Sequence, residues 1–236
     1  LYFKLITSYF MRVLVFSAHP DDLDFGCSGT VAKWTKEGRE VHYCILTDGS
    51  KGKHIKISDH ELVRIREKEQ KNAANVVGVK DIIFLREKDG ELENTKELRK
   101  KLVKVIRTIK PDIVMCFDPA NRSFDNFYRF HRDHRISGEA VFDAIYPAAG
   151  SEAFFPELTK KYPPHKIKEA WFYATNNPNV FVDISKTIDK KIEALKQHKS
   201  QIKDFNEVEG RIKSWARKFG KRAKVKYAEG FRKVEL

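Results

Sequence analysis

Two short polar stretches carry the residue types that could do chemistry in this sequence. The first, "HPDD", places His19, Asp21 and Asp22 directly after the apolar run "VLVFSA". The second, "HRDH", places His131 and His134 about a hundred residues later, in the segment that follows the apolar run "DIVMCF". Histidine and aspartate serve as metal ligands and as proton acceptors in hydrolytic sites. Since Pro and Asp are also ordinary turn formers, the two stretches gain meaning only if the fold brings them together.

Together the two stretches would supply the protein ligands of one catalytic metal ion. His19, Asp22 and His134 offer two imidazoles and one carboxylate, a set that leaves one coordination position open for water. Zinc lowers the pKa of such a water to about 7. Asp21 then remains as a carboxylate beside the metal and is predicted to be the general base. His131, if protonated, would stabilise an oxyanion or protonate the leaving amine.

The remaining candidates near these stretches have two interpretations each. Asp133 is predicted to hold one of the histidines by a hydrogen bond without touching the metal, although a helix N-cap explains it equally well. Asp24 is either functional or an exposed turn carboxylate. The other five histidines have no matching partners in the sequence and are predicted to lie at the surface or at the edge of the core: His42, His54, His60, His165 and His198.

The apolar periodicity predicts alternating strands and helices. Short continuous apolar runs are typical of strands buried on both faces of a parallel sheet, and four of them occur in the first half of the chain: "RVLVFSA", "EVHYCILT", "DIIFL" and "DIVMCF". Between them lie three helical patterns, over residues 26–38, 58–78 and 95–111. This alternation predicts an α/β fold with a Rossmann-like, doubly wound, mostly parallel sheet and helices on both faces.

The second half of the chain is predicted to add a helix after residue 131 and two strands, "EAWFYAT" and "VFVDIS". A final core-facing helix is marked by Ile188, Ile192, Leu195 and Ile202. The first strand lacks a following GxGxxG, and "GSKGK" is too short for a P-loop, so phosphate binding is not supported. If the strand order is 3-2-1-4-5, the ends of the first and fourth strands adjoin, and "HPDD" faces the loop that carries "HRDH".

Charge and length set the domain prediction. We predict an N-terminal extension over residues 1–11 and a single domain over residues 12–236. The net charge is +13, and residues 196–236 form a basic C-terminal segment with 13 Lys/Arg against 5 Asp/Glu. A basic module that binds nucleic acid or another anion on a degenerate enzyme scaffold is the competing interpretation. We do not expect a nucleic acid partner, because Lys/Glu-rich sequences are common in soluble and thermophilic proteins.

The cysteines point to a reducing compartment. Cys27, Cys44 and Cys116 are odd in number, widely spaced and set in apolar runs, which favours reduced core residues over disulfides. The apolar start of the chain is too short to span a bilayer and contains Lys4. We therefore predict a cytoplasmic protein without a membrane span.

The motifs as a set resemble one enzyme family. "AHPDD", followed by "LTDGSKG", "REKE", "KDGEL", "HRDH" and "VDIS…KIEALKQHKSQ", is similar to the LmbE-like, or PIG-L, family of zinc-dependent de-N-acetylases. The resemblance covers about residues 12–205. The closing "YAEGFR" is similar to the ending of the diacetylchitobiose and bacillithiol-type deacetylase branches. The resemblance implies hydrolysis of the acetyl group of an N-acetylglucosamine-containing small molecule.

The resemblance also implies roles for single residues. It implies zinc on the two histidines and the aspartate named above, with Asp21 as the base and His131 at the oxyanion. Arg66, in "REKE", and Asp89, in "DG", match positions that contact the sugar or support the site in similar proteins. A helix salt-bridge residue and a turn former are the respective alternatives.

Similar proteins form trimers or hexamers, so a homo-oligomer is expected. Four aromatic residues could cover its interface or lie in the core: Phe154, Phe155, Trp171 and Phe172.

Overall fold

A seven-stranded sheet forms the centre of the molecule. The computed structural model describes residues 11–52, 56–122 and 130–236. Its strands follow the order β3-β2-β1-β4-β5-β7-β6. The first five strands run parallel, whereas β7 is antiparallel to both β5 and β6. The strands are β1 Arg12–Ser17, β2 Glu40–Thr47, β3 Asp81–Glu87, β4 Ile113–Phe117, β5 Glu169–Tyr173, β6 Val180–Asp183 and β7 Ala228–Glu235.

Helices cover both faces of the sheet, which confirms the predicted doubly wound α/β fold. They are α1 Asp22–Gly26, α2 Ser28–Lys36, α3 Asp59–Val76, α4 Lys96–Ile109, α5 Arg132–Asp143, α6 Pro156–Thr159, α7 Ile188–Leu195 and α8 Phe205–Ala223, with a π-helical segment Ala144–Ala149 after α5. Two long helices begin at side-chain caps. Ser58 accepts a hydrogen bond from the Glu61 amide, and Thr95 accepts one from the Leu98 amide.

The sheet separates two apolar cores. Val13 and Val15 of β1 face a core shared with α2, α3, α7 and α8, whereas Leu14 and Phe16 face a core shared with α4 and α5. Because both faces of β1 are buried, its sequence is a continuous apolar run and not an alternating one.

The strand order brings two distant loops to one edge. Strand β1 pairs in parallel with β2 on one side and with β4 on the other. The carboxyl ends of β1 and β4 therefore adjoin, as the 3-2-1-4-5 order predicted. The "HPDD" turn leaves β1 at this edge, and α5 with "HRDH" follows β4.

The C-terminal region differs from the prediction. The final predicted helix ends at Leu195, before Ile202, and the basic segment continues into α8 and β7. Helix α8 buries Val208, Ile212 and Ala216 at helical spacing. Strand β7 lies between β5 and β6, and its Phe231 is fully buried. The segment 196–236 is thus part of the fold despite its charge.

Three of the aromatic residues considered for an interface belong to the core of the single chain. Phe155, Trp171 and Phe172 are buried, and only Phe154 is substantially exposed, at 41%. Burial inside one chain accounts for them without a second copy.

All three cysteines are buried free thiols. Within the three described ranges, none of the helices has the length and apolar character needed to cross a membrane.

Candidate metal centre

The turn after β1 places the "HPDD" side chains at the edge of the sheet. His19 follows the strand, and its backbone amide donates to the Asp22 carboxylate at 2.8 Å, which closes the turn. Asp21 adopts a backbone φ of 94°, which is unusual for a residue with a Cβ atom. Helix α1 then begins at Asp22. The Asp21 carboxylate contacts Arg66, whereas the Asp22 carboxylate contacts His19 and His134.

Three side chains converge on one point from the two stretches. The Nδ1 atom of His19 lies 3.2 Å from Nε2 of His134 and 3.4 Å from the Asp22 carboxylate. The same His134 nitrogen lies 3.1 Å from the other oxygen of Asp22. Tetrahedral zinc with bonds of about 2.0–2.1 Å holds its ligand atoms about 3.3 Å apart. The two histidines approach different oxygens of Asp22, and each of the three distances is close to the spacing of ligand atoms in such a site.

The second ring nitrogen of His19 faces two other carboxylates. Its Nε2 lies 3.3 Å from Asp133 and 3.2 Å from Asp89. A histidine that ligates a metal commonly donates its other N–H to a carboxylate, which sets its tautomer and orientation. Asp133 is fully buried and also accepts from the Gly90 amide at 2.6 Å. The N-cap interpretation of Asp133 is wrong, because His131 caps α5.

The charges at this point favour a cation. Burial alone would lower the pKa of His19, but hydrogen bonds to Asp133, Asp22 and Asp89 raise it well above its usual value. Burial opposes ionisation of Asp89, yet the His19 ring and the Lys51 amide bring its pKa to about 2. A site whose carboxylates hold a positive charge this strongly is suited to a divalent metal ion.

Other groupings around the same histidine are also close enough to bind an ion. The ligand atoms of His19, His131 and His134 lie within 4.8 Å of one another, as do those of His19, Asp89 and Asp133. The two motifs predict the set with Asp22, whose spacings of 3.1–3.4 Å are comparable to the 3.2 and 3.3 Å between His19 and the carboxylates of Asp89 and Asp133. Residues of all three sets have other hydrogen-bonding roles as well, since Asp22 accepts from the His19 amide. His131 caps a helix, and Asp133 accepts from a backbone amide.

His131 is held in one tautomer by its own helix. Its Nδ1 accepts from the backbone N–H of Asp133 at 3.2 Å, so that nitrogen carries no proton and Nε2 is the donor. Partial burial and the neighbouring rings of His134 and His19 lower the pKa of His131. The sequence interpretation invoked a protonated His131. The geometry instead presents a neutral imidazole whose Nε2–H is available to a substrate oxygen.

Asp21 directly precedes Asp22 and is held by two side chains of α3, Gln70 and Arg66. Burial raises the pKa of its carboxyl group, the Arg66 charge opposes that rise, and Asp22 adds to it. Arg66 is buried and donates to the carbonyl oxygens of Pro20 at 2.7 Å and Gly49 at 2.8 Å. Its guanidinium also lies 3.4 Å from the Asp21 carboxylate.

Arg66 and Asp89, which were predicted to contact the sugar or to support the site, both form hydrogen bonds or ion pairs with other residues of the site. Arg66 holds the "HPDD" turn, and Asp89 contacts His19 and accepts from the Lys51 amide at 2.9 Å. These contacts support the site. Contact with a sugar stays a prediction for both residues.

Two residues near the site, Gln70 and His198, were not recognised from the sequence, and Asp24 was left with two interpretations. Gln70 and Asp24 are fully buried, and His198 is 1% exposed and lies 2.8 Å from the Asp24 carboxylate. The exposed-turn alternative for Asp24 and the prediction of His198 at the surface or at the edge of the core are therefore wrong. The resemblance of "KIEALKQHKSQ" to the family was the only signal that could have located His198.

The structure describes three of the other four histidines. His42 is buried against Glu40 at 2.9 Å, His165 lies 2.7 Å from the Pro111 carbonyl oxygen, and His60 is exposed. His54 lies outside the described residues.

The chain is similar to deacetylases in sequence and in structure. The diacetylchitobiose deacetylase of Thermococcus kodakarensis is 39% identical over 226 residues, which cover 94% of this chain and 83% of that protein. A Bacillus anthracis protein named probable N-acetyl-alpha-D-glucosaminyl L-malate deacetylase 2 is 32% identical over 207 residues, 81% of each chain. The structure of N,N'-diacetylchitobiose deacetylase from Pyrococcus horikoshii, complexed with its inhibitor MPG, has a TM-score of 0.88 and 33% identity, and the match covers 95% of this chain and 84% of that one.

The family model PIG-L, described as GlcNAc-PI de-N-acetylase, matches residues 14–145. This range includes both polar stretches and every residue that converges at the edge of the sheet. The chain therefore belongs to the PIG-L family, as its motifs predicted.

Proposed function

We propose that this protein is a metal-dependent hydrolase that removes the acetyl group from an N-acetylglucosamine-containing small molecule. The observation that carries the proposal is the convergence of His19, Asp22 and His134 at spacings of 3.1–3.4 Å. The similar proteins are named as deacetylases of diacetylchitobiose and of a glucosaminyl malate. They support the deacetylase over the basic binding module.

Each side chain of the centre has a role in this reaction. His19, Asp22 and His134 would hold the metal ion. When bound, a divalent ion supplies a Lewis acid that makes water nucleophilic near neutral pH. Asp21 accepts a proton from the attacking water as that water adds to the acetyl carbon, and it returns the proton to the nitrogen as the carbon–nitrogen bond breaks. The Nε2–H of His131 donates to the oxygen on which negative charge develops.

The carboxylates around the ligands act through His19. Asp133 and Asp89 accept from its Nε2, which leaves Nδ1 directed at Asp22 and His134. Acetate and a free amine are the products.

We further propose that the metal is zinc, since the donor set suits it and the family resemblance implies it. Two histidines and one carboxylate also suit ferrous iron, so elemental analysis of active protein decides the identity. A homo-oligomer is proposed as well, and light scattering at micromolar concentration tests it. The cytoplasmic location remains a proposal supported by the three free thiols.

The decisive assay measures acetate released by the zinc-loaded protein from a panel of substrates. The panel contains N-acetylglucosamine, diacetylchitobiose, N-acetylglucosaminyl malate and an N-acetylglucosaminyl inositol. We expect acetate from at least one of them, and no release after a chelator removes the metal. The Asp21→Asn variant is the matched control, because it keeps all three ligands. Absence of acetate from every substrate would overturn the proposal.

A further inference from the structure

A chain of buried hydrogen bonds connects Asp21 to the C-terminal part of the protein. The Asp21 amide donates to Oε1 of Gln70 at 2.8 Å. Nε2 of Gln70 donates to Oδ2 of Asp24 at 3.0 Å, and Nε2 of His198 lies 2.8 Å from the same oxygen. Gln70, Asp24 and His198 are each at most 1% exposed. The reaction as described above uses none of these three side chains.

The order of donors and acceptors in this chain leaves Gln70 one orientation. An ionised carboxylate only accepts, so Asp24 requires the NH₂ end of the Gln70 amide. The opposite end of that amide is then its oxygen, which is the end that a backbone N–H needs. His198 donates to the carboxylate and keeps it in place. A flipped Gln70 would face Asp24 with its oxygen and Asp21 with its NH₂ group, and both contacts would be repulsive.

Asp21 needs such support because its backbone conformation is unfavourable. A φ of 94° lies in the region that residues with a Cβ atom rarely adopt. The residue is restrained on two sides by α3: Gln70 holds its amide, and Arg66 holds the preceding carbonyl of Pro20. Unsupported, the turn would relax, and the Asp21 carboxylate would leave its place beside the metal ligands.

We propose that Gln70, Asp24 and His198 are positioning residues that hold the strained backbone of Asp21 and thereby aim its carboxylate at the attacking water. The inference rests on the proposed function for the role of Asp21, whereas the restraint on its backbone does not. Strained conformations at functional sites persist only where the surroundings over-determine them, and this hydrogen-bonded chain is such a surrounding.

The helix itself offers a matched control. Glu69 precedes Gln70 on α3, is 8% exposed, and accepts from the amide and hydroxyl of Ser200 at 2.8 and 2.7 Å. It therefore ties the same helix to the same C-terminal segment without bonding to Asp21. The Glu69→Gln variant therefore shows how a weaker connection between α3 and Ser200 affects the protein when the Gln70 contacts are kept.

The first experiment measures the rate of hydrogen exchange at the Asp21 backbone amide in the protein as purified. Mass spectrometry of overlapping peptic fragments, one with and one without this amide, gives the rate. Gln70→Met and His198→Leu are expected to accelerate exchange there by about tenfold or more, because they remove the acceptor or the group that holds it. Glu69→Gln should leave it as in the wild type. Unchanged exchange in Gln70→Met would refute the restraint, whether or not the protein is a deacetylase.

The second experiment measures kcat, KM and bound metal for the same variants. We expect kcat to fall about ten- to a hundredfold in Gln70→Met, with KM and metal content within twofold of wild type, because a misaimed base slows the chemistry and not binding. Glu69→Gln should retain kcat. A wild-type kcat in Gln70→Met, or a fall explained by lost metal, would overturn the proposal.

A swapped pair separates orientation from folding. Gln70→Glu alone opposes two carboxylates, and Asp24→Asn alone permits the wrong amide orientation. In the double variant, the carboxylate at position 70 accepts from the Asp21 amide, while the NH₂ group at position 24 takes the place of Oδ2 and donates one N–H to that carboxylate and the other to Nε2 of His198, whose proton then lies on Nδ1. The double variant should recover most of the kcat that each single variant loses. If the fold-decrease of kcat in the double variant instead equals the product of the two single-variant decreases, the two side chains act independently and the proposal is wrong.

Discussion

The ring nitrogens of His19 and His134 lie 3.2 Å apart although 115 residues separate the two histidines in sequence. One residue follows β1 and the other lies in the first turn of the helix after β4, and these two strands pair in parallel. The contact is thus a consequence of strand order. Two imidazoles at this distance repel each other when both are protonated, whereas a shared cation holds them together.

Exchange of the two neighbouring aspartates for asparagine should separate metal binding from proton transfer. Asp21→Asn keeps all three ligands, so we expect full metal content and a turnover lowered about a hundred- to ten-thousandfold. Asp22→Asn removes the anionic ligand, so metal content should fall together with activity. Elemental analysis and acetate release on both variants provide the test. Loss of metal from Asp21→Asn with retention in Asp22→Asn would reverse the two assignments.

Asparagine in place of His131 should separate its two roles. In His131→Asn the side-chain oxygen can still accept from the Asp133 amide and cap α5, so the melting temperature should stay close to that of the wild type. The shorter side chain no longer presents a donor to the substrate oxygen. We expect kcat to fall about a hundred- to a thousandfold with full metal content. An unchanged kcat in this variant would show that the imidazole does not contact the reacting group.

Asp89 should stabilise the metal-free protein in a pH-dependent way. Its pKa is lowered to about 2 when folded, against burial, by the His19 ring and the Lys51 amide. Because the folded-state pKa lies below the unfolded-state value of about 4, the stabilisation is fully present above about pH 4 and is lost as the pH falls through about 2. The shift corresponds to about 2 kcal/mol.

Urea unfolding of the metal-free protein tests this pH-dependent stabilisation by Asp89. Asp89→Asn should lower the free energy of unfolding at pH 7, and its difference from wild type should shrink between pH 4 and pH 2. The exposed Glu93→Gln is the control and should show no comparable trend. A difference that stays constant with pH would mean that the Asp89 charge does not stabilise the fold.

The three thiols should be unreactive in the native protein. Cys27, Cys44 and Cys116 are at most 1% exposed, and burial raises the pKa of each thiol, so little thiolate is present at neutral pH. A thiol reagent at pH 8 should label none of them until denaturant is added, after which all three react. Rapid labelling of the folded protein would contradict their burial.

The order of the elements could be read from the sequence because the responsible forces are local or repetitive. Burial of both faces of β1 produces an unbroken apolar run, and the spacing of Ser58 and Glu61 marks the start of α3. The chemistry of the site was likewise legible in "HPDD" and "HRDH", since only certain side chains ligate metals or move protons. Strand β7 was missed because its position between β5 and β6 depends on pairing with distant partners.

By itself, the sequence determined the fold class, the family and the histidines and aspartates of the two motifs that meet at the edge of the sheet. The tertiary structure decided how those residues are oriented: which nitrogen of His19 faces Asp22, that His131 is a neutral helix cap, and that His198 is buried against Asp24. These relationships depend on hydrogen bonds between elements far apart in the chain. Such bonds have direction and donor polarity, which no local pattern of residue types encodes.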